Sequence, residues 1–177
     1  MPALAGVLRV VSLLGSFDRN RPVSSDPVHL LIRRFRAGDP GAADAVVEAG
    51  RISIRRDAAL RGPHLAAVVV PGHDGALHPG LLALVTALAP AEGWTVAADV
   101  LTRRTPVTEA KRRPPRDPGV EAASLDARPN ALPASIETIL LVDDVLASGA
   151  TLEACVAALR RDGWTGHVMA LVIAVAR

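Results

Sequence analysis

The apolar positions of this chain change period along its length. Between Pro27 and Ala37 they recur at helical spacing, with Leu30, Leu31 and Phe35 expected inward and Arg33, Arg34 and Arg36 expected more exposed. Ser25 and Asp26 precede Pro27, a good helix start, because a short polar side chain caps free amides and proline fits the first turn. Gly38-Asp39-Pro40-Gly41 reads as a turn, and a second helical stretch is expected from about Ala42. Its end is ambiguous, since Ile52 and Ile54 alternate as in a strand. Residues 7–14 fit either a strand or a short apolar helix. From Leu65 onward the pattern sharpens. Apolar runs over 65–70, 94–101, 139–142 and 167–175 predict strands, and helices are expected over about 79–89 and 150–162. Residues 120–125 predict a short helical turn. Strand and helix alternate, so the fold class is α/β, a mostly parallel sheet flanked by helices and joined by right-handed crossovers.

Composition bounds this picture. A length of 177 residues makes one domain over 1–177 the expectation, with a core over 61–177 and an N-terminal helical or hood region over 1–60. Half of the residues are hydrophobic, yet there are only two Phe, two Trp and no Tyr, so Val, Leu, Ile and Ala must build the core. Cys155 is the only cysteine; it has no disulfide partner and no metal-ligand spacing around it, and is expected to be a small packed residue. A net charge of +2 does not by itself argue for nucleic-acid binding. The basic character is nearly all arginine, with Lys111 the sole lysine. No stretch approaches the roughly 20 apolar residues of a membrane span. The first residues are apolar, but Arg9 interrupts them and no basic residue precedes them, so a cytoplasmic protein is expected rather than an exported one.

The chemistry concentrates between Ile139 and Leu152, which read I-L-L-V-D-D-V-L-A-S-G-A-T-L. An apolar strand runs into two adjacent acids, then a turn of small residues, then a helix start. Open α/β sheets bind ligands at the carboxyl ends of their strands. The amides of Ala147, Ser148, Gly149, Ala150 and Thr151 carry no bulky side chain between themselves and an anion, and with the following helix N-terminus they suit a phosphate. Asp143 and Asp144 suit sugar hydroxyls, whose donors carboxylates accept. A phosphorylated ribose is the simplest ligand having both groups. Upstream, the strand over 65–70 stops at Pro71, Gly72, His73, Asp74 and Gly75. Residues 103–118 are basic, proline-rich and without period, the signature of a long loop. A strand ending in paired acids also suits a receiver domain, but the acids here fall too late in the chain for that architecture.

The 139–152 stretch resembles the ribose-phosphate signature of type I phosphoribosyltransferases, and the likeness covers about residues 60 to 177. Residues 65–74 are similar to that family's first core strand and pyrophosphate loop, and 103–118 sit where it has its catalytic loop. Within the family the chain looks most like ComF-like, competence-associated proteins. Leu101-Thr102-Arg103-Arg104-Thr105-Pro106, the later Arg116, and His29-Leu30-Leu31-Ile32-Arg33-Arg34-Phe35 carry that likeness. Thr108 stands where such loops usually have Gln, and one cysteine cannot build the zinc ribbon many of these proteins have.

The resemblance implies a type I phosphoribosyltransferase-like fold and roles residue by residue. Asp143 and Asp144 would hold the ribose hydroxyls of phosphoribosyl pyrophosphate, or of a nucleoside monophosphate. The 147–151 amides, with the Ser148 and Thr151 hydroxyls, would hold the 5′-phosphate. Pro71 to Asp74 would meet the pyrophosphate through backbone amides. Arg103, Arg104, Lys111 and Arg112 would close over it with Mg²⁺, a cofactor held mainly through the ligand. The implied reaction transfers phosphoribose to an unknown acceptor with release of pyrophosphate. The competing expectation is a non-catalytic sensor or accessory protein using the same pocket, in DNA uptake for example. Purine-salvage members often carry an acid three residues after the second acid; here that position is Ala147, which disfavours such chemistry. Dimers are common in the family, which is the only basis for expecting a homodimer.

Overall fold

The computed structural model describes residues 4–104 and 118–177. Its main sheet is parallel, in the order β1 (Arg9–Ser12), β8 (His167–Ala176), β7 (Thr138–Leu146), β3 (Leu65–Val69), β4 (Thr95–Val96). A short β2 (Ser16–Phe17) continues the β1 edge along β8. A separate antiparallel pair joins β5 (Leu101–Arg103) to β6 (Leu125–Ala127).

The central strands carry unbroken apolar runs over Leu65–Val69, Ile139–Val142 and Val168–Val175 because both faces are covered there. Alternation assigns the faces. Ala66, Val68, Ile139, Leu141, Val168 and Ala170 pack with α5 (Ala150–Arg161) and the β5–β6 pair. Leu65, Ala67, Leu140, Val142, Met169 and Leu171 pack with α1 (Pro27–Arg36), α2 (Pro40–Arg56) and α3 (Pro79–Glu92). A short α4 (Pro118–Ala123) precedes β6.

The crossovers locate the site. From β3 the chain passes through α3 and moves outward to β4; from β7 it passes through α5, on the opposite face, and moves the other way to β8. Opposite faces and opposite directions preserve one crossover hand and make the β3–β7 boundary a topological switch point, where a crevice opens at the carboxyl ends.

Several expectations change. The 94–101 run is not one strand. After Gly93, in the left-handed region, Thr95–Val96 pairs with β3; the chain then turns at Ala98-Asp99 and enters the second sheet at Leu101. The second helix starts at Pro40 and runs through Ile52 and Ile54 to Arg56, burying Ala42, Val46, Gly50 and Ile54 along one face. In α1, Leu30 is 42% exposed, and Ile32 packs inward with Phe35. Residues 1–60 are more than a helical or hood region, because β1 and β2 form an edge of the main sheet. The ambiguous 7–14 stretch thus contains a strand. Among the described residues no helix is long and apolar enough to cross a membrane.

Candidate functional site

A cavity of about 580 Å³ lies at the switch point, within the range of small-molecule sites. It is formed by a stagger in the sheet. β3 pairs with β7 only as far as Val69–Val142, whereas β7 continues against β8 through Asp143–Val172, Val145–Ala174 and Leu146–Val175. Among the described residues, the last residues of β7 therefore have no strand neighbour on the β3 side. Pro71, Gly72, His73 and Asp74, Asp143 and Asp144, and Ala147, Ser148, Gly149 and Thr151 all line the cavity, as does Arg103.

The two acids occupy different surroundings because successive side chains of a strand point to opposite faces. Asp143 follows Ile139 and Leu141 toward the α5 layer. Its Oδ1 accepts a hydrogen bond from the Asp144 backbone amide at 2.8 Å. Burial, and then the charge of Asp144, push its carboxyl up to about 7; the Asp144 amide and Arg36 oppose that shift. Asp144 points to the α1–α3 layer, where Arg36 Nε donates to its Oδ2 at 2.5 Å. That bond is the main reason the Arg36 guanidinium lies above its ordinary value. Beneath the site, Cys155 is fully buried, and burial followed by the Asp143 charge raises its thiol well beyond the usual range. It is a packed, unreactive residue.

The small-residue turn delivers an open helix end. Gly149 is the N-cap of α5 at φ +85°, and no side chain among the described residues caps the helix. A β-carbon there would collide with Leu4, which covers the turn from outside. Ala150 is buried and does not line the cavity; its amide makes only a long 3.4 Å contact with Ser148 Oγ. Thr151 does line it.

The 71–76 turn is tightly bonded. The Gly72 amide donates to the Ala76 carbonyl at 2.9 Å, the Gly75 amide to the Gly72 carbonyl at 3.0 Å, and the Ala76 amide to Asp74 Oδ1 at 3.0 Å. A β-carbon on Gly72 would lie 2.9 Å from Asp74 Oδ1 and 3.0 Å from the Ala76 carbonyl oxygen, so the turn needs glycine there.

The cationic residues are distributed differently from the expectation. Arg103 is in β5 with a side chain only 2% exposed; its Nε donates to the Gly72 carbonyl at 2.8 Å, and its Nη1 pairs with Glu121 at 3.2 Å and bonds Ser124 Oγ. Arg104 lies outside the cavity and pairs with Asp126 at 2.5 Å. Lys111 and Arg112 lie outside the described residues.

Arg36 was not among the expected site residues, because Arg33, Arg34 and Arg36 together read as a solvated helix face. The missed cue is position. Arg36 is in the last turn of α1, which packs its Phe35 ring against His78 at the α3 N-terminus, with centroids 5.4 Å apart and planes 13° from parallel. That contact brings the end of α1 to the rim of the sheet. Among the described residues no group of three or more His, Cys, Asp or Glu side chains is arranged to hold a metal ion.

No protein-family model and no curated protein matches this chain.

Proposed function

We propose that this chain is a type I phosphoribosyltransferase-like protein that binds phosphoribosyl pyrophosphate in the switch-point cavity and transfers its phosphoribose to an acceptor, releasing pyrophosphate. One observation carries the reading: a single cavity holds the acid pair, the uncapped start of α5 and the 71–76 turn. A ligand bearing vicinal hydroxyls between two phosphate groups matches those three elements. In this reading Asp143 and Asp144 take the ribose hydroxyls, and the Ala147–Thr151 segment takes the 5′-phosphate. The amides of His73 and Asp74 face the pyrophosphate. Departure of pyrophosphate leaves an oxocarbenium-like sugar, which the site stabilises by neutralising the leaving group and excluding water.

The charge balance bears on the cofactor. Asp74, Glu121, Asp143 and Asp144 line the cavity against only Arg36 and Arg103 among the described residues. A polyanion entering this acidic cavity needs added positive charge. Mg²⁺ fits, because it is commonly held by one or two carboxylates together with substrate phosphates rather than by a protein cage. Bound there, it would supply charge neutralisation at the leaving pyrophosphate. Ala147 offers no acid or base at the turn, so the proposed acceptor is one whose attack needs no proton transfer from that position.

A second reading has its own support. Arg103 is committed to a buried ion pair with Glu121, and Arg104 lies outside the cavity in a surface pair with Asp126, which favours a cytoplasmic sensor that binds phosphoribosyl pyrophosphate or a nucleoside monophosphate without turnover.

The deciding experiment is calorimetric titration with phosphoribosyl pyrophosphate and Mg²⁺, followed by a pyrophosphate-release screen across nucleobases and amines. Asp143→Asn with Asp144→Asn should weaken phosphoribosyl pyrophosphate binding far more than inorganic phosphate binding. Equal losses would remove the ribose assignment, and binding without release under any acceptor would leave the sensor reading.

A further inference from the structure

Among the described residues, the 71–76 turn leaves two amides without a partner, and what holds the turn lies outside it. The amides of Gly72, Gly75 and Ala76 are used internally. Those of His73 and Asp74 donate to no described residue, and both residues are exposed at the cavity. The Gly72 carbonyl accepts two hydrogen bonds, from the Gly75 amide inside the turn and from Arg103 Nε outside it. A carbonyl oxygen has two lone pairs, so this one is saturated and its peptide plane is fixed. The Arg103 guanidinium is itself held by Glu121 and Ser124, with the Glu121 side chain only 7% exposed. Ser124 in turn donates to the Glu121 carbonyl at 2.7 Å and accepts nothing from the turn. The planar fork of arginine reaches Gly72 and Glu121 at once; an ammonium group cannot copy that geometry.

We propose that Arg103, Glu121 and Ser124 form a buried brace that sets the orientation of the Gly72 peptide, and that Arg103 is a positioning residue for anion binding rather than a cation that touches the anion. The brace is what leaves the His73 and Asp74 amides available to a pyrophosphate group. This deepens the proposed function and rests on it, because pyrophosphate is the group that reading assigns to the turn.

Two mild substitutions separate positioning from direct contact. Arg103→Lys keeps the charge and loses the fork. Glu121→Gln keeps the shape and removes the negative partner. Inorganic pyrophosphate with Mg²⁺ and, separately, ribose 5-phosphate are titrated into the full chain and both variants. With a brace, each variant loses about tenfold in pyrophosphate affinity, the scale of one charge-assisted hydrogen bond, while ribose 5-phosphate affinity changes less than about twofold on the same scale. With direct contact, Arg103→Lys binds pyrophosphate nearly as well as the parent, and Glu121→Gln binds it more tightly because the guanidinium is released; either result overturns the proposal. Amide hydrogen exchange over residues 71–76 gives a ligand-free readout. The brace requires faster exchange at Gly72, Gly75 and Ala76 in both variants, and unchanged exchange would refute it. If the parent protein binds neither probe, the phosphoribosyl reading fails, while the exchange result still decides whether the brace exists.

Discussion

Replacing Asp143 with Asn should stabilise the protein, and by an amount that depends on pH. The carboxyl is pushed from an ordinary 3.8 to about 7, mainly by burial and then by the adjacent Asp144. A carboxyl with a raised folded-state pKa binds its proton more readily in the folded chain than in the unfolded one. Stability is therefore retained at low pH and lost progressively as pH rises from about 3.8 to about 7. A shift of that size corresponds to roughly 4 kcal/mol above the window. Asn keeps an Oδ1 to accept the Asp144 amide and carries no charge, so Asp143→Asn should recover most of that loss. At pH 5 the expected gain is about 1–2 kcal/mol, and at pH 8 it is about 4 kcal/mol. For a domain of this size the latter is a rise of about 10 °C in Tm. Urea unfolding of both proteins at the two pH values measures it, and any fixed difference between Asn and a protonated carboxyl cancels in the comparison. An advantage at pH 8 no larger than at pH 5 would show that Asp143 does not carry a disfavoured charge. The variant should at the same time bind phosphoribosyl pyrophosphate worse, the trade expected of a charge kept for a site rather than for the fold.

Other substitutions probe the remaining parts of the architecture. Arg36→Gln should cost about 1 kcal/mol or less, because the guanidinium is half-exposed. It should also move the Asp143 titration to higher pH, since Arg36 is one of the charges holding it down; carboxyl-carbon NMR reads that shift, and a fall would contradict the pairing. Gly149→Ala meets both a φ of +85° and the Leu4 side chain, and should cost about 2–4 kcal/mol in urea denaturation. Free accommodation of alanine would mean that the turn has another shape. Trp94→Phe removes a buried Nε1–H that donates to the Leu60 carbonyl at 2.9 Å, for an expected loss of about 1–3 kcal/mol; an unchanged urea midpoint would show that this bond contributes nothing.

How much of this was readable in the residues depends on whether the deciding interactions were local. Strands β3, β7 and β8 announced themselves because burial on both faces leaves an unbroken apolar run, and the turn at Gly149 because its residue types are dictated by backbone conformation. The Ile52–Ile54 alternation misled because two residues spaced by two cannot distinguish a strand from a helix whose one buried stripe passes through Ile54. The break after Val96 was hidden because Val100 and Leu101 continue the apolar run into a different sheet. Arg36 and Glu121 were invisible for a stronger reason. Each reaches the cavity through packing between distant segments, the Phe35–His78 stack in one case and the Arg103 pair in the other, and no spacing rule encodes such contacts.

The strand that carries the acids has a final consequence. Asp143 and Asp144 are the same residue written twice, yet one lies over Cys155 and the other against Arg36. Nothing in their covalent structure distinguishes them; odd or even position along β7 does. If β7 slid by a single residue against β8, the two would exchange faces, Asp143 turning toward the Arg36 side and Asp144 toward the α5 layer. Pairing register here thus acts as a sorting rule that turns a repeated letter into two different electrostatic species. An insertion or deletion far back in the strand would scramble that assignment without altering either aspartate.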